Sequence, residues 1–397
     1  MRANVQLLII LFTFGLYFAL IFNHNLTLHM KIKPFYSVFA VILFVTTSFA
    51  QEKKEFAIHT VAFYNLENLY DTINDPNTRD DEWVYTKEYF DQKIKNIAKV
   101  ISVLGTGKNT NSPVVMGLSE IENRSVLETL VKDPQIAGKN YGIIHFDSPD
   151  KRGIDCGFIY QKKHFTPTSY HNYPLMITED DTKTVKKKKE KDAAEDSDDN
   201  IVDVTTKRIY TRDQILMTGL LDGEEMHFIV NHWPSRRGGE KISSPLREAA
   251  AALNKKIIDS LYKINPNAKI MTMGDLNDGP FNNSLKKVLG TKGDEKEVQP
   301  FGLYNPAEKM MNKGIGTLAY RDSWDFFDQI VISEPLLSRD KKTYTTWKYW
   351  EAGVYNAPFM IQKTGQYKGY GLRNSTLAPG YSDHFPSYIY LIKEAKK

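Results

Sequence analysis

Residues 269–280 read Lys269-Ile270-Met271-Thr272-Met273-Gly274-Asp275-Leu276-Asn277-Asp278-Gly279-Pro280. Ile270 to Met273 is an apolar run, Gly274 breaks it, and three polar residues follow before Gly279-Pro280 closes the segment. The pattern predicts a short buried strand running out into a tight polar loop. Such a loop sets a carboxylate, Asp275, beside an amide, Asn277, at the carboxyl end of a strand, where α/β sheets hold their ligands. An ordinary strand-to-turn junction uses the same residue types, because Asp, Asn and Gly are the common turn formers. Whether the arrangement recurs along the chain separates the two readings.

It recurs. Ala57 to Tyr64 reads as a strand followed by Asn65-Leu66-Glu67-Asn68. Asn65 is either a turn residue or an amide placed to bond a phosphate or hold a carboxylate. Pro113 to Leu118 is a second apolar strand ending at Ser119-Glu120-Ile121-Glu122-Asn123, with Glu120 as its terminal carboxylate. Oxygen donors placed this way suit a hard cation such as Mg²⁺, Mn²⁺ or Ca²⁺. They do not suit zinc, because no Cys/His cluster is visible along the chain. Gln214 to Leu221 and Glu225 to Val230 predict a hairpin around Asp222-Gly223, and Asn231-His232-Trp233-Pro234-Ser235-Arg236 follows. His232 is either a hydrogen-bonded structural imidazole or a general acid and phosphate donor. Ser323 to Ile332 predicts another strand, containing Asp328. Tyr381-Ser382-Asp383-His384-Phe385-Pro386 leads into a last strand, Ser387 to Ile392. An Asp-His pair at a strand entrance can bind metal, or the imidazole can be catalytic with a carboxylate fixing its tautomer.

Between these stations lie helices, loops and charge runs. Glu88 to Leu104 has helical periodicity, with Lys93, Lys95 and Lys99 on the face opposite its apolar residues, read as solvated. Ser125 to Val131 predicts a second helix. Ser244 to Tyr262 predicts an amphipathic helix with Ala249, Leu253, Ile257 and Leu261 inward. Tyr141 to Phe146 and Cys156 to Tyr160 predict paired strands. Arg152, in their connection, is either a surface arginine or a guanidinium that clamps phosphate oxygens. The segment TKTVKKKKEKDAAEDSDDN, residues 182–200, joins a basic block to an acidic one with almost nothing to bury, and reads as a disordered insertion. Arg339 to Gly380 is rich in Tyr, Trp, Lys and Gly. Its aromatics either pack its loops or serve to stack bases or hold a lipid head group.

The first fifty residues carry two export-like patterns. Val5 to Phe22 is long enough for a marginal membrane span. Met30-Lys31-Ile32-Lys33 opens a basic start, Phe35 to Val45 an apolar core, and Ser48-Phe49-Ala50 a cleavage site ahead of Gln51. The expectation is a signal peptide over residues 30–50, an over-extended start over residues 1–29, and one catalytic domain over 51–397. The resulting location is periplasmic or secreted. The rival is a membrane anchor formed by Val5 to Phe22. The whole chain carries +4. Residues 1–50 hold Arg2, Lys31 and Lys33 with no acid, so removing those 3 positive charges leaves +1. Charge therefore makes no case for nucleic-acid binding by a basic surface. The lone cysteine, Cys156, sits in an apolar run and cannot form an internal disulfide.

Taken together, FYNLEN (Asn65), GLSEIEN (Glu120), VNHWPSR (His232), GDLND (Asp275, Asn277), FDQIVIS (Asp328) and YSDHFP (Asp383, His384) resemble the endonuclease/exonuclease/phosphatase superfamily. They occur in the family's order from Phe56 to Lys393, and NHWPSR with RGID resembles an exported bacterial branch. The resemblance implies the deoxyribonuclease-I-like α/β fold: a four-layer sandwich of two mixed sheets face to face with helices outside. It implies hydrolysis of a phosphodiester by an activated water attacking in line. On that pattern Glu120 binds the divalent metal with help from Asn65, and Asp383 is a further ligand. Asp275 takes the proton of the attacking water, Asn277 orients the phosphate, and His384 stabilises the transition state with Asp328 as its orienting carboxylate. His232 serves the leaving group. Arg152 has no secure counterpart, so its phosphate role is read from this sequence alone. The expected substrate is DNA or RNA, with phospholipid or a small phosphate ester as the alternative. No protein partner is implied, and a monomer is expected.

Overall fold

The computed structural model describes residues 55–79, 85–178 and 208–395. The predicted leader over residues 1–50 and the insertion over 182–200 lie outside the described residues. In chain order the elements are β1 (Phe56–Leu69), α1 (Lys87–Val103), β2 (Val115–Ile121), α2 (Arg124–Leu130), β3 (Tyr141–His145), β4 (Asp155–Gln161) and β5 (Phe165–Tyr173). Then come β6 (Ile177–Thr178), β7 (Arg208–Ile209), β8 (Gln214–Leu221), β9 (Glu224–His232), α3 (Glu240–Ile264) and β10 (Ile270–Asp275). The chain continues through β11 (Leu303–Tyr304), α4 (Ala307–Met311), β12 (Leu318–Tyr320), β13 (Ser323–Asp325), β14 (Asp328–Ser333), β15 (Lys348–Val354) and β16 (Ser387–Glu394).

Two six-stranded sheets result, in the orders β15-β16-β1-β2-β4-β3 and β11-β14-β10-β9-β8-β5. Each is mixed for the same reason. In each, one parallel pair, β1/β2 or β9/β10, is joined by a crossover carrying α1 or α3, and the other neighbours are antiparallel. The strand period of two then sorts side chains into layers. Along β1, Val61 and Phe63 point between the sheets, where they meet Phe158, Phe228, Met273 and Leu391. Ala62 and Tyr64 point the other way, onto Ile97 and Ile101 of α1 and Leu127 of α2. On the far side of the second sheet, Ile229, Ile270 and Val331 pack beneath Ala250, Ile257 and Ile258 of α3. Helices, sheet, sheet and helix make the four expected layers, with Cys156 buried between the sheets.

Four sequence readings change. Lys93 is not solvated: it is fully buried, its Nζ 2.9 Å from Asn374 Oδ1 and 3.9 Å from Glu67 Oε2, while Lys95 and Lys99 stay exposed. The buried face of α3 is rotated from the predicted one and takes in polar Arg247 and Asn254, because buried polar groups on neighbouring elements wait for them. The strand predicted from Ser323 to Ile332 is two, broken at Phe326-Phe327. Trp347, one of the aromatics of Arg339 to Gly380 that could have faced a ligand, belongs to the core at 1 % exposure.

Candidate active site

The parallel strands end, and the antiparallel strands begin, along one edge of the sandwich. In the second sheet Asp275 stands opposite His232 of β9 and opposite Asp328 of β14. Gly274 makes this spacing possible: a Cβ there would lie 2.3 Å from the Asn231 carbonyl oxygen. In the first sheet Asn65 stands opposite Ser119, next to Glu120, and His384 lies just ahead of β16. Glu120 and Asn277 both take left-handed backbone conformations, φ 58° and 48°. Such φ values are uncommon outside glycine and cluster at functional turns.

Asn65 joins the two sheets. Its Nδ2 donates to Glu120 Oε1 at 3.2 Å and to Asp275 Oδ2 at 3.0 Å, and its Oδ1 accepts from the Glu67 amide at 2.9 Å. Glu120 Oε2 accepts from the Asn68 amide at 2.9 Å. Two imidazoles flank Asp275, with Nε2 of His232 3.7 Å and Nε2 of His384 3.8 Å from its Oδ2. His384 Nδ1 bonds Asp328 Oδ2 at 2.7 Å, so the carboxylate accepts and the ring turns Nε2 toward Asp275. Thr317 locks this pair: its hydroxyl accepts from the Phe327 and Asp328 amides, and its carbonyl accepts from the Phe385 amide at 2.7 Å. Ser382 Oγ donates to the Asn65 carbonyl and accepts from the His384 amide.

The electrostatics split the two histidines. Burial opposes a charge on His384, but the carboxylates of Asp328 and Asp275 overcome it and hold its pKa well above the usual imidazole value. His232 is pushed well below that value by burial, then by the charges of Arg212, Arg152 and His384. Asp275 rises to about 6, because burial and its Asp328 and Glu120 neighbours outweigh the pull of His384. One cationic and one neutral imidazole therefore face a single carboxylate. Asp275 and Asp328 gather around the His384 imidazolium, Glu120 lies 4.0 Å from Nε2 of His232, and Asp328 Oδ1 has no hydrogen-bond partner among the described residues. This oxygen-rich, net negative set fits a hard divalent cation.

The structure thus brings together Asn65, Glu120, His232, Asp275, Asn277, Asp328 and His384. Asn277 is engaged twice: its amide N–H donates to Asp275 Oδ1 at 3.0 Å, and its Nδ2 donates to the Trp233 carbonyl at 2.9 Å. Arg152 is 7 % exposed and no hairpin-surface residue; its guanidinium lies 3.9 Å from Asp150, and its charge reaches His232. Asp383 sits apart from the Asn65–Glu120–Asp275 hydrogen bonds, in a second group with Glu67, Lys93 and Arg373.

Sequence reasoning missed several residues of this edge. Glu67 lies in the same FYNLEN segment as Asn65, and both its carboxylate oxygens accept from the Asn374 amide. Arg212 spans from Asp150 to the Trp233 carbonyl at 2.9 and 2.8 Å. Arg247 of α3 pairs with Asp278 at 2.6 Å, both side chains fully buried, and so holds the loop after Asp275. Arg236 donates to the Asn277 carbonyl at 2.9 Å and to Asp325 at 3.0 Å. Arg236 and Asp278 were legible as polar residues inside the quoted motifs. Arg212 and Arg247 carried no local signal, since their partners lie far off in sequence.

The sequence model of the Endonuclease/Exonuclease/phosphatase family matches residues 60–193 and 187–393, nearly all of the described chain. The chain belongs to this family. Family members are metal-dependent phosphoesterases, and the chain is a metal-dependent phosphoric ester hydrolase with that α/β sandwich. Among solved structures it is similar to a humanized D. rerio TDP2, at 13% identity and TM-score 0.48, covering 84% of this chain and 98% of that one. It is also similar to an endonuclease/exonuclease/phosphatase family protein from Bacteroides thetaiotaomicron, at 16% identity and TM-score 0.48, covering 87% and 100%. A mannosyl-6-phosphatase from the same organism has 16% identity and TM-score 0.46, covering 84% and 99%. No curated protein matches the chain.

Proposed function

We propose that the protein is an exported nuclease that hydrolyses DNA or RNA phosphodiesters, with its catalytic unit starting at Gln51. Glu120 and Asn65 hold the divalent cation, which supplies Lewis-acid stabilisation of charge on the phosphate when bound. Asp275, buried and flanked by both imidazoles, takes the proton from the attacking water. His384, held cationic by Asp328, supports the negative charge that builds on the phosphate oxygens. His232, neutral and across Asp275 from His384, serves the departing oxygen. Asn277 and Arg152 orient the phosphate, and Asp383 supports the metal from its group with Glu67.

The observation that carries the nucleic-acid reading is the rim beside His384. Trp324 stacks on Phe385 at 5.9 Å with an interplanar angle of 15°, and Tyr370 packs against Trp324 at 6.2 Å. Trp324 is 39 % and Tyr320 65 % exposed, and Arg321 and Arg373 lie over the rings of Tyr320 and Tyr367. Exposed aromatics interleaved with guanidinium groups stack bases and follow a phosphate backbone without a strongly basic surface. A phospholipid substrate is less well supported, because Trp347, one of the Arg339 to Gly380 aromatics that could hold a lipid head group, is core.

The test uses the protein from Gln51 with supercoiled plasmid and single-stranded RNA, with Mg²⁺, Mn²⁺ or Ca²⁺ and an EDTA control. Metal-dependent cleavage that disappears in Asp275→Asn is the expected result. Intact nucleic acid together with turnover of a small diester such as bis(p-nitrophenyl) phosphate would keep the hydrolase and remove the nuclease. The mass of the mature N-terminus in exported material tests the Ala50/Gln51 cut.

A further inference from the structure

At the end of the strands remote from the catalytic edge, three side chains from distant parts of the chain converge. His59 lies near the start of β1, His164 immediately precedes β5, and Asp222 forms the turn between β8 and β9. Nε2 of His59 is 2.6 Å from Asp222 Oδ2, and Nδ1 of His164 is 3.1 Å from Asp222 Oδ1. One donor atom from each residue lies within 4.8 Å of the other two. No local spacing could have announced this cluster, because its three residues lie far apart in sequence.

The surroundings hold the three in place. Asp222 and Gly223 both have positive φ, 45° and 84°, the geometry of a tight two-residue hairpin turn, so the carboxylate is presented by the turn itself. The Asp222 amide donates to the His164 carbonyl at 2.8 Å. Trp347 lies against the His59 ring at 4.6 Å and donates from its indole nitrogen to the Leu221 carbonyl at 3.2 Å. His59 is 6 % exposed, whereas the side chains of His164 and Asp222 are 20 % and 37 % exposed. The cluster therefore has a closed side formed by the core and an open side facing solvent.

We propose that His59, His164 and Asp222 form a second metal site, selective for a late first-row divalent ion such as Zn²⁺. Two imidazole nitrogens and a carboxylate oxygen are the borderline ligands such ions prefer over Mg²⁺. A tetrahedral ion bound at about 2 Å keeps its donors about 3.4 Å apart, and one donor from each of these side chains already lies within 4.8 Å of the other two. Solvent takes the fourth position on the open side. The site ties β1 of one sheet to the β8–β9 hairpin of the other, and its role is to clamp the sandwich rather than to hydrolyse.

The test keeps Mg²⁺ saturating throughout, so that the catalytic edge is not the site being titrated. Metal-stripped protein is titrated with Zn²⁺ while Tm is followed, and with Co²⁺ while its visible d–d absorption is followed. The expected result is one equivalent bound, a Tm rise of about 3 °C and the intense band of tetrahedral Co²⁺. In His164→Gln and Asp222→Asn, both on the open side, the Tm rise and the band disappear while Mg²⁺-dependent turnover stays within about twofold. No Tm change and no Co²⁺ band in the unaltered protein would overturn the proposal. A rise and band that persist unchanged in both variants would do the same, by moving the ion elsewhere.

Discussion

Asp275 is the residue on which the two sheets and both imidazoles meet, and its chemistry can be probed one atom at a time. Asp275→Asn keeps the hydrogen bond to Asn65 Nδ2 but removes the base, so turnover falls at least about 10³-fold with an unchanged far-UV spectrum. Normal turnover in that variant would remove Asp275 from the mechanism. His384→Ala takes away the cation beside it and lowers kcat by about 10²–10³-fold. His232→Ala is more discriminating. If the neutral His232 ring steadies the leaving oxygen by a hydrogen bond, the loss is about 10²-fold on a nucleotide diester and much smaller on a p-nitrophenyl ester, whose leaving group spreads its charge away from oxygen. Equal losses on both substrates would reassign it to positioning. The site residues were legible because each stands at the end of an apolar strand, Asp275 where one runs out and Asp328 and His384 where one begins, so a local pattern carries the global placement. Lys93 was not, because nothing in its own helix records that Glu67 and Asn374 wait beneath it.

The loop after β10 shows how elements hold such residues still. Arg247, on the buried face of α3, reaches Asp278, and Arg236 grips the Asn277 carbonyl, so the loop is held from two sides. Removing one partner of a buried ion pair leaves the other uncompensated. Asp278→Ala therefore costs about 3 kcal/mol in denaturant unfolding, with a fall in kcat as Asn277 loosens. A cost near zero would show that the pair does not hold the loop. The helix period alone could not reveal Arg247, since an arginine on an amphipathic helix normally reads as its wet side. At β6 and β7, Ile177 pairs with Ile209 and Thr178 with Arg208, so the two ends of residues 179–207 are held side by side. Replacing residues 182–200 by a short turn should leave turnover within about twofold, because the ladder already sets the loop ends. A large loss would place that segment at the substrate.

Across the whole molecule, the layer order follows from alternation along the strands, whereas the fold class was read from the family resemblance of the strand-end motifs. The pairing of β16 was not legible, because register between the first and last strands depends on contacts spanning the chain. β16 inserts between β15 and β1, with Phe56 opposite Glu394, and the Ala395 amide donates to the Glu55 carbonyl at 2.8 Å. The same neighbourhood supplies His384 to Asp328. A protein lacking residues 384–395 should therefore lose both the fold and all hydrolysis, whereas a point change at Lys393 should lose neither. A folded, active truncation would contradict that dependence.

That closing strand has a consequence for synthesis. While the chain is still leaving the ribosome, the first sheet lacks an inner strand and the catalytic edge lacks an imidazole, although Asn65, Glu120 and Asp275 have already emerged. A nascent hydrolase of this design lacks the His384 imidazole until the segment carrying His384 and β16 has been released. Moving β16 ahead of β1 by circular permutation, with a short linker across the adjacent ends, would remove that delay and let the timing of activity be measured directly.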